Sequence, residues 1–150
     1  IWACELHKYL YTLLKKDSIL KNIKIDESLA NARNLIKTIL KQTLDNPANP
    51  ESLNFFQGDT YKFYFLMSFM WEYFEKNEMS QEYAISLVPK RYASRIKRLQ
   101  VLKQAVSLGY ISETSSSDDK RRRIYEPTEQ LVKDFIKYSN SIYPDNRSTA

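Results

Sequence analysis

The sequence predicts a mainly α-helical fold with one small β-hairpin, a winged helix-turn-helix carrying an N-terminal helical extension. Three observations predict it. Apolar residues recur at helical spacing through most of the chain, the period shortens to strand-like alternation only between Tyr110 and Tyr125, and a last helical pattern opens at Thr128. With 150 residues, 43% hydrophobic and 27% charged, the chain is large and apolar enough to bury a core without covalent staples.

Residues 1–20 set Trp2, Leu6, Tyr9, Leu10, Leu13 and Leu14 along one face of an amphipathic helix. A second helix is expected from Asp26, in N-cap position, with Leu29, Ala32, Ile36, Ile39, Leu40 and Leu44 on one face. It stops at Asp45-Asn46-Pro47, and Pro50 prolongs the break because proline cannot continue a helix. Residues 1–45 therefore read as a helical pair suited to dimerisation and 46–58 as a linker. Residues 59–143 read as the winged helix-turn-helix and 144–150 as a tail.

From Asp59 to Asn77 a helix is apolar nearly all round, and such a helix is expected to be buried on most sides. Ser80 has the position of an N-cap for a short helix closed by Pro89. A third helix runs to Leu108 and ends at Gly109, suited to a left-handed C-cap. Strands are expected over Tyr110–Thr114 and Arg121–Tyr125, around a polar tip from Ser115 to Lys120. Thr128 caps the final helix, whose apolar face is Leu131, Val132, Phe135 and Tyr138.

The net charge of +5 is unevenly placed. Residues 86–125 hold ten Lys or Arg against three acids, +7, so the remainder carries −2. Local basicity of this kind is the electrostatic footprint of a polyanion partner. On the third helix Ile96, Leu99, Leu102, Lys103 and Val106 mark the expected inner stripe. Lys90, Arg91, Arg95, Lys97 and Arg98 are the candidates for contact with duplex DNA in the major groove. No acid occurs between Glu82 and Glu113 to repel phosphate along that face.

The hairpin adds Lys120, Arg121, Arg122 and Arg123, suited to a narrow, negative minor groove. If Ile124 faces the core, alternation puts Arg121, Arg123 and Tyr125 on the opposite face. Asp118 or Asp119 could hold one of those guanidiniums through a bidentate pair.

Gly109, Asp119-Lys120-Arg121 and Thr128 together resemble the wing of the MarR family of bacterial transcription regulators, over roughly residues 60–143. The resemblance implies a wing-tip role for Arg121, with Asp119 as its orienting partner, and a dimer that reads a pseudo-palindrome. The chain departs from that pattern in a longer Ser80–Gly109 segment, in Glu113 where a basic strand residue is common, and in lacking a dimerisation helix after Pro144. The helices of residues 1–45 could replace the last.

Other chemistry is poorly supported. His7 is the sole histidine and Cys4 the sole cysteine, whereas a structural zinc needs four ligands. The only glycines are Gly58 and Gly109, so no phosphate-cradling loop occurs. Asp26 and Glu27 read as helix N-terminal charges, and no catalytic residue, enzyme activity or cofactor is expected. The ten aromatics between Phe55 and Phe74 read as core or dimer interface, or as the lining of a pocket for a small aromatic effector. A single cysteine and the lack of a signal-like or bilayer-spanning segment point to a reducing bacterial cytoplasm, at the nucleoid when DNA-bound. Whether Ile1 is the natural start is left open.

The functional expectation is sequence-specific duplex binding by a homodimeric regulator. A winged-helix assembly module, or a plasmid or phage replication or partition protein, stays open beside it because fold does not decide function.

Overall fold

The computed structural model describes residues 2–15 and 19–143, and the chain divides into two compact units, Ile1–Asn46 and Pro47–Ala150. Residues 16–18 of the expected first helix, the tail from 144, and the side chains of Trp2, Leu13 and Leu14 lie outside the described residues. No helix among the described residues is long and apolar enough to cross a membrane.

In the first unit α1 (Trp2–Lys15) is followed by α2 (Ile19–Ile36). The latter continues over Lys37–Leu44 as a π-helical segment, a rare geometry in which hydrogen bonds skip five residues. The Asp45 N–H donates to the Leu40 carbonyl at 2.8 Å, and the Thr43 hydroxyl to the Thr38 carbonyl at 2.9 Å. Asp26 lies inside α2 rather than at its N-cap, a correction with a simple reason: no Gly or Pro from Ile19 onward interrupts helical propensity. Leu6, Tyr9, Leu10, Leu29, Ile36, Ile39, Leu40 and Leu44 are about half exposed or more.

The second unit begins with a departure from the expected linker. Residues Glu51–Phe56 form a short helix, α3, whose Leu53 and Phe56 enter the core and whose Ser52 hydroxyl donates to Asp134 Oδ2 at 2.7 Å. Pro50 reads as a helix breaker, yet in the N-cap position its missing N–H costs no hydrogen bond.

Helix α4 (Thr60–Phe74) buries Phe65, Leu66, Phe69 and Met70 along one stripe. It is covered on most sides, as expected, but not on all, since Trp71 is 64% exposed and Phe74 50%. It also stops before Asn77. Lys76 takes a left-handed conformation, φ 61°, and the Asn77 N–H folds back onto the Glu72 carbonyl at 3.0 Å. Because lysine rather than glycine occupies that position, the sequence carries no stop signal there.

Three caps fall where the sequence puts them. The Ser80 hydroxyl accepts from the Tyr83 N–H at the start of α5 (Gln81–Ser86). Gly109, at φ +82°, ends α6 (Arg95–Ser107), with the Tyr110 N–H on the Ala105 carbonyl at 2.9 Å. The Thr128 hydroxyl accepts from the Leu131 N–H to open α7 (Glu129–Ile142). A fourth cap, Ser94, begins α6.

Between α6 and α7, β1 (Ile111–Ser115) pairs antiparallel with β2 (Arg123–Pro127), with Glu113 opposite Tyr125. The strands lie one to two residues later than expected. A bridge from Ser80 to Ile124, with the Tyr125 N–H on the Met79 carbonyl at 2.9 Å, ties the hairpin to the start of α5. The core joins Phe56 and the α4 stripe to Ile85, Val101, Leu102, Ile111, Tyr125 and Leu131. The unit is thus a winged helix-turn-helix, α5 and α6 forming the helix-turn-helix and the hairpin its wing.

Truncating a fully buried phenylalanine leaves a cavity, so Phe56→Ala should lower the unfolding free energy of the second unit by about 3–5 kcal/mol. Urea denaturation followed by circular dichroism measures this. A shift near zero would mean that α3 contributes nothing to the core.

Candidate nucleic-acid interface

Helix α6 turns Arg98, Val101, Leu102 and Ala105 inward. Spacings of three and four residues make that one helical stripe. It lies about one residue off the expected stripe, because Ile96 faces outward at 70% exposure while Leu99 and Val106 are half-buried.

The displaced residue is an arginine. Arg98, a candidate for the outer face, is buried, and its guanidinium donates to the carbonyls of Ile85 at 3.2 Å, Val88 at 3.4 Å and Ser94 at 3.4 Å. Carbonyls at the end of α5 lack helical partners and carry partial negative charge, so a cation satisfies both needs there. Arg98 therefore holds α5 and α6 together and does not present its charge to solvent.

Arg95, the first residue of α6, is exposed but not alone. Its two terminal nitrogens grip both carboxylate oxygens of Glu82 on α5, at 2.8 and 2.5 Å. The hydrogen bond from Arg95 holds the Glu82 carboxyl below its ordinary range, so it stays ionised at neutral pH. Lys90 and Lys97 are exposed, and Arg91 lies 5.0 Å from the ring centre of Tyr92, which tilts against Tyr64 at 5.3 Å. Such an exposed phenol beside a cation can donate to a phosphate oxygen. Tyr92 was not visible as a candidate, since a lone tyrosine in a turn carries no pattern.

The wing also departs from expectation. Tyr125 faces the core, fully buried, whereas Ile124 is only partly covered, the reverse of the expected alternation. The reason is a polar cluster that accommodates the phenol. Its hydroxyl donates to Glu113 Oε2 at 2.8 Å and lies 3.2 Å from Gln81 Oε1, while Lys103 Nζ donates to both the phenol and Glu113 at 2.9 Å. Lys103 thus leaves the expected inner stripe for the wing. Hydrogen bonds from Lys103 and then Tyr125 hold the Glu113 carboxyl low, and burial pushes the Tyr125 phenol up.

Arg123 Nε lies 3.7 Å from the same Glu113, and Arg122 pairs with Glu78 at 3.3 Å. The Asp119 carboxylate accepts from the Arg121 backbone N–H at 2.9 Å and not from a guanidinium. It shapes the tip through the main chain, an Asx turn. The structure therefore leaves Lys90 and Arg91 exposed in the turn before α6 rather than on the third helix as expected, Lys97 exposed on α6, and Lys120 and Arg121 exposed at the tip. Lys90, Lys97, Lys120 and Arg121 form no ion pair among the described residues. Those residues also contain no group of three potential metal ligands.

Fold and site together define a winged helix-turn-helix protein with exposed cations before and on α6 and at the wing tip. No family model and no curated protein matches the chain. It is similar to the solved structure of transcriptional regulator PA4135, with 15% identity over 79% of this chain and 75% of that one and a TM-score of 0.46. It is also similar to heme-free PefR, with 20% identity over 81% of this chain and 99% of that one and a TM-score of 0.42.

The lowered Glu113 carboxyl has a consequence for stability. Ionised and bonded in the folded state, it stabilises above the ordinary carboxylate value, about 4.3, and that contribution is lost as pH falls through its lowered value. Urea midpoints across pH 2–7 should fall on the acid side for the intact protein and less steeply for Glu113→Gln. Identical acid limbs would show that the cluster contributes nothing through ionisation.

Proposed function

We propose that the protein is a DNA-binding transcription regulator that recognises duplex sequence as a homodimer, with α6 in the major groove and the wing tip in the minor groove. The observation that carries this is the division of cations. Arg98, Arg122 and Arg123 are engaged within the fold, yet Lys90, Arg91, Lys97, Lys120 and Arg121 are exposed on the two parts of a winged helix-turn-helix that meet DNA. Arg95 is the reader best placed for a base edge, at the first position of α6. Arg98 contributes by holding the helix rather than by touching DNA.

The dimer is supported by apolar surface. The first unit leaves the face from Leu29 to Leu44 about half exposed, and α7 exposes Ile136, with Tyr143 beyond it. Such surfaces usually mark an interface. One winged helix spans few base pairs, so two copies with their α6 helices about one turn of DNA apart would supply selectivity. An open cavity of about 500 Å³ beside Tyr73 and Phe74 offers a place for a small aromatic effector. A second reading, an assembly module, is favoured by the three glutamates, 78, 82 and 113, that already pair cations of this face.

Fluorescence anisotropy at rising salt decides between them. Duplex affinity should fall steeply with salt, and Lys97→Ala and Arg121→Ala should each reduce the slope by about 0.9. The Arg121 change should weaken binding most on sites with A·T-rich flanks. A flat salt response, or no binding at low salt, would promote the assembly module.

Light scattering tests the dimer. The intact chain should have twice its monomer mass and a chain beginning at Pro47 should be largely monomeric. A monomeric intact chain, or a shortened one that still pairs fully, places the interface elsewhere or nowhere.

A further inference from the structure

We infer that Glu82 is a selectivity-determining residue: by gripping Arg95 it holds the guanidinium in one pose at the start of α6 and withholds it from indiscriminate phosphate contact. The inference rests on the DNA-binding reading above.

Stability does not explain the pair. Both side chains are more than half exposed, at 57% for Arg95 and 67% for Glu82, and exposed ion pairs contribute little to folding. Nor does affinity for a polyanion explain it. Glu82 puts a negative charge beside the cations of α6 and neutralises one of them, so it opposes binding to any duplex.

What the geometry does supply is orientation. The contact is two-pronged, Nη1 to Oε2 at 2.8 Å and Nη2 to Oε1 at 2.5 Å, which fixes the plane of the fork as well as its position. It joins the opening turns of both helices, and each is capped by a serine, Ser80 for α5 and Ser94 for α6. Behind α6, Arg98 locks the relation of the two helices through the Ile85 and Val88 carbonyls. Both ends of the pair are therefore mounted on one frame.

A guanidinium has five N–H donors, and two engaged by a carboxylate leave three. A free arginine can swing to whichever phosphate is near, which rewards every sequence alike. A clamped one reaches only acceptors that lie in its plane, and the O6 and N7 edge of guanine is such a pair. Clamping thus lowers non-specific affinity more than specific affinity. Glu82 is a positioning residue in this scheme, acting through Arg95.

The test compares the full-length protein with Glu82→Gln, Arg95→Ala and the double variant. Each is titrated by anisotropy against a duplex selected from a random pool by the intact protein, and against a scrambled duplex of equal length. For Glu82→Gln we expect about five- to tenfold tighter binding to the scrambled duplex, and a salt slope there steeper by about 0.9, one extra phosphate. Selectivity should fall by a similar factor. In the Arg95→Ala background the same change should leave selectivity as it is.

Unchanged selectivity in Glu82→Gln, or equal weakening on both duplexes, overturns the inference while leaving DNA binding intact. Intact protein that binds both duplexes alike, or neither, removes the DNA-recognition reading and this inference with it.

Discussion

A single buried guanidinium decides how this winged helix presents itself. Arg98 donates to the carbonyls of Ile85, Val88 and Ser94, so its charge is held by main-chain oxygens at and after the end of α5 and at the start of α6 rather than by a hydrogen-bonded carboxylate. Removing its side chain would take the guanidinium donor from the Ile85 and Val88 carbonyls in a buried place, the costly direction for a hydrogen bond, whereas the Ser94 carbonyl would keep the Arg98 N–H. Because Arg98 must point inward, α6 is rotated until Val101, Leu102 and Ala105 follow it and Ile96 emerges into solvent. Every outward position on that helix, Arg95 and Lys97 included, is set by this rotation.

The wing obeys a related constraint. Tyr125 brings a phenol into the core, and a buried hydroxyl needs a partner. Glu113, Gln81 and Lys103 meet that need from three elements, and the pull on Arg123 follows from the charge of Glu113. Counting basic residues therefore overstates the charge available to a partner. Of the ten cations between residues 86 and 125, Arg98 is buried, and Arg95, Lys103, Arg122 and Arg123 face carboxylates.

Much of the fold could be read without coordinates. Ser80, Gly109 and Thr128 were legible because capping is local: a side chain or a left-handed φ satisfies groups within a few residues. What escaped is what distant residues decide. Arg98 looked like a surface cation because apolar-inside is a one-way rule, and nothing near it in sequence announces the carbonyls it meets. Glu82 lies thirteen positions before Arg95 on another helix. Tyr125 and Ile124 alternate correctly but in the opposite sense, since the strand pattern alone does not say which face is core. Helix α3 is six residues long, too short for periodicity, and was hidden behind a proline.

The exposed indole of Trp71 has a practical side. The chain has two tryptophans, Trp2 and Trp71, and each falls in a different compact unit. Native fluorescence is therefore a two-channel signal in which replacing either indole with phenylalanine isolates the other unit. Trp71 sits on an ordered helix yet meets water over most of its surface, so its emission starts near the red end. Anything that docks on that edge of α4 would move it to the blue, giving an intrinsic optical reporter that requires no attached dye.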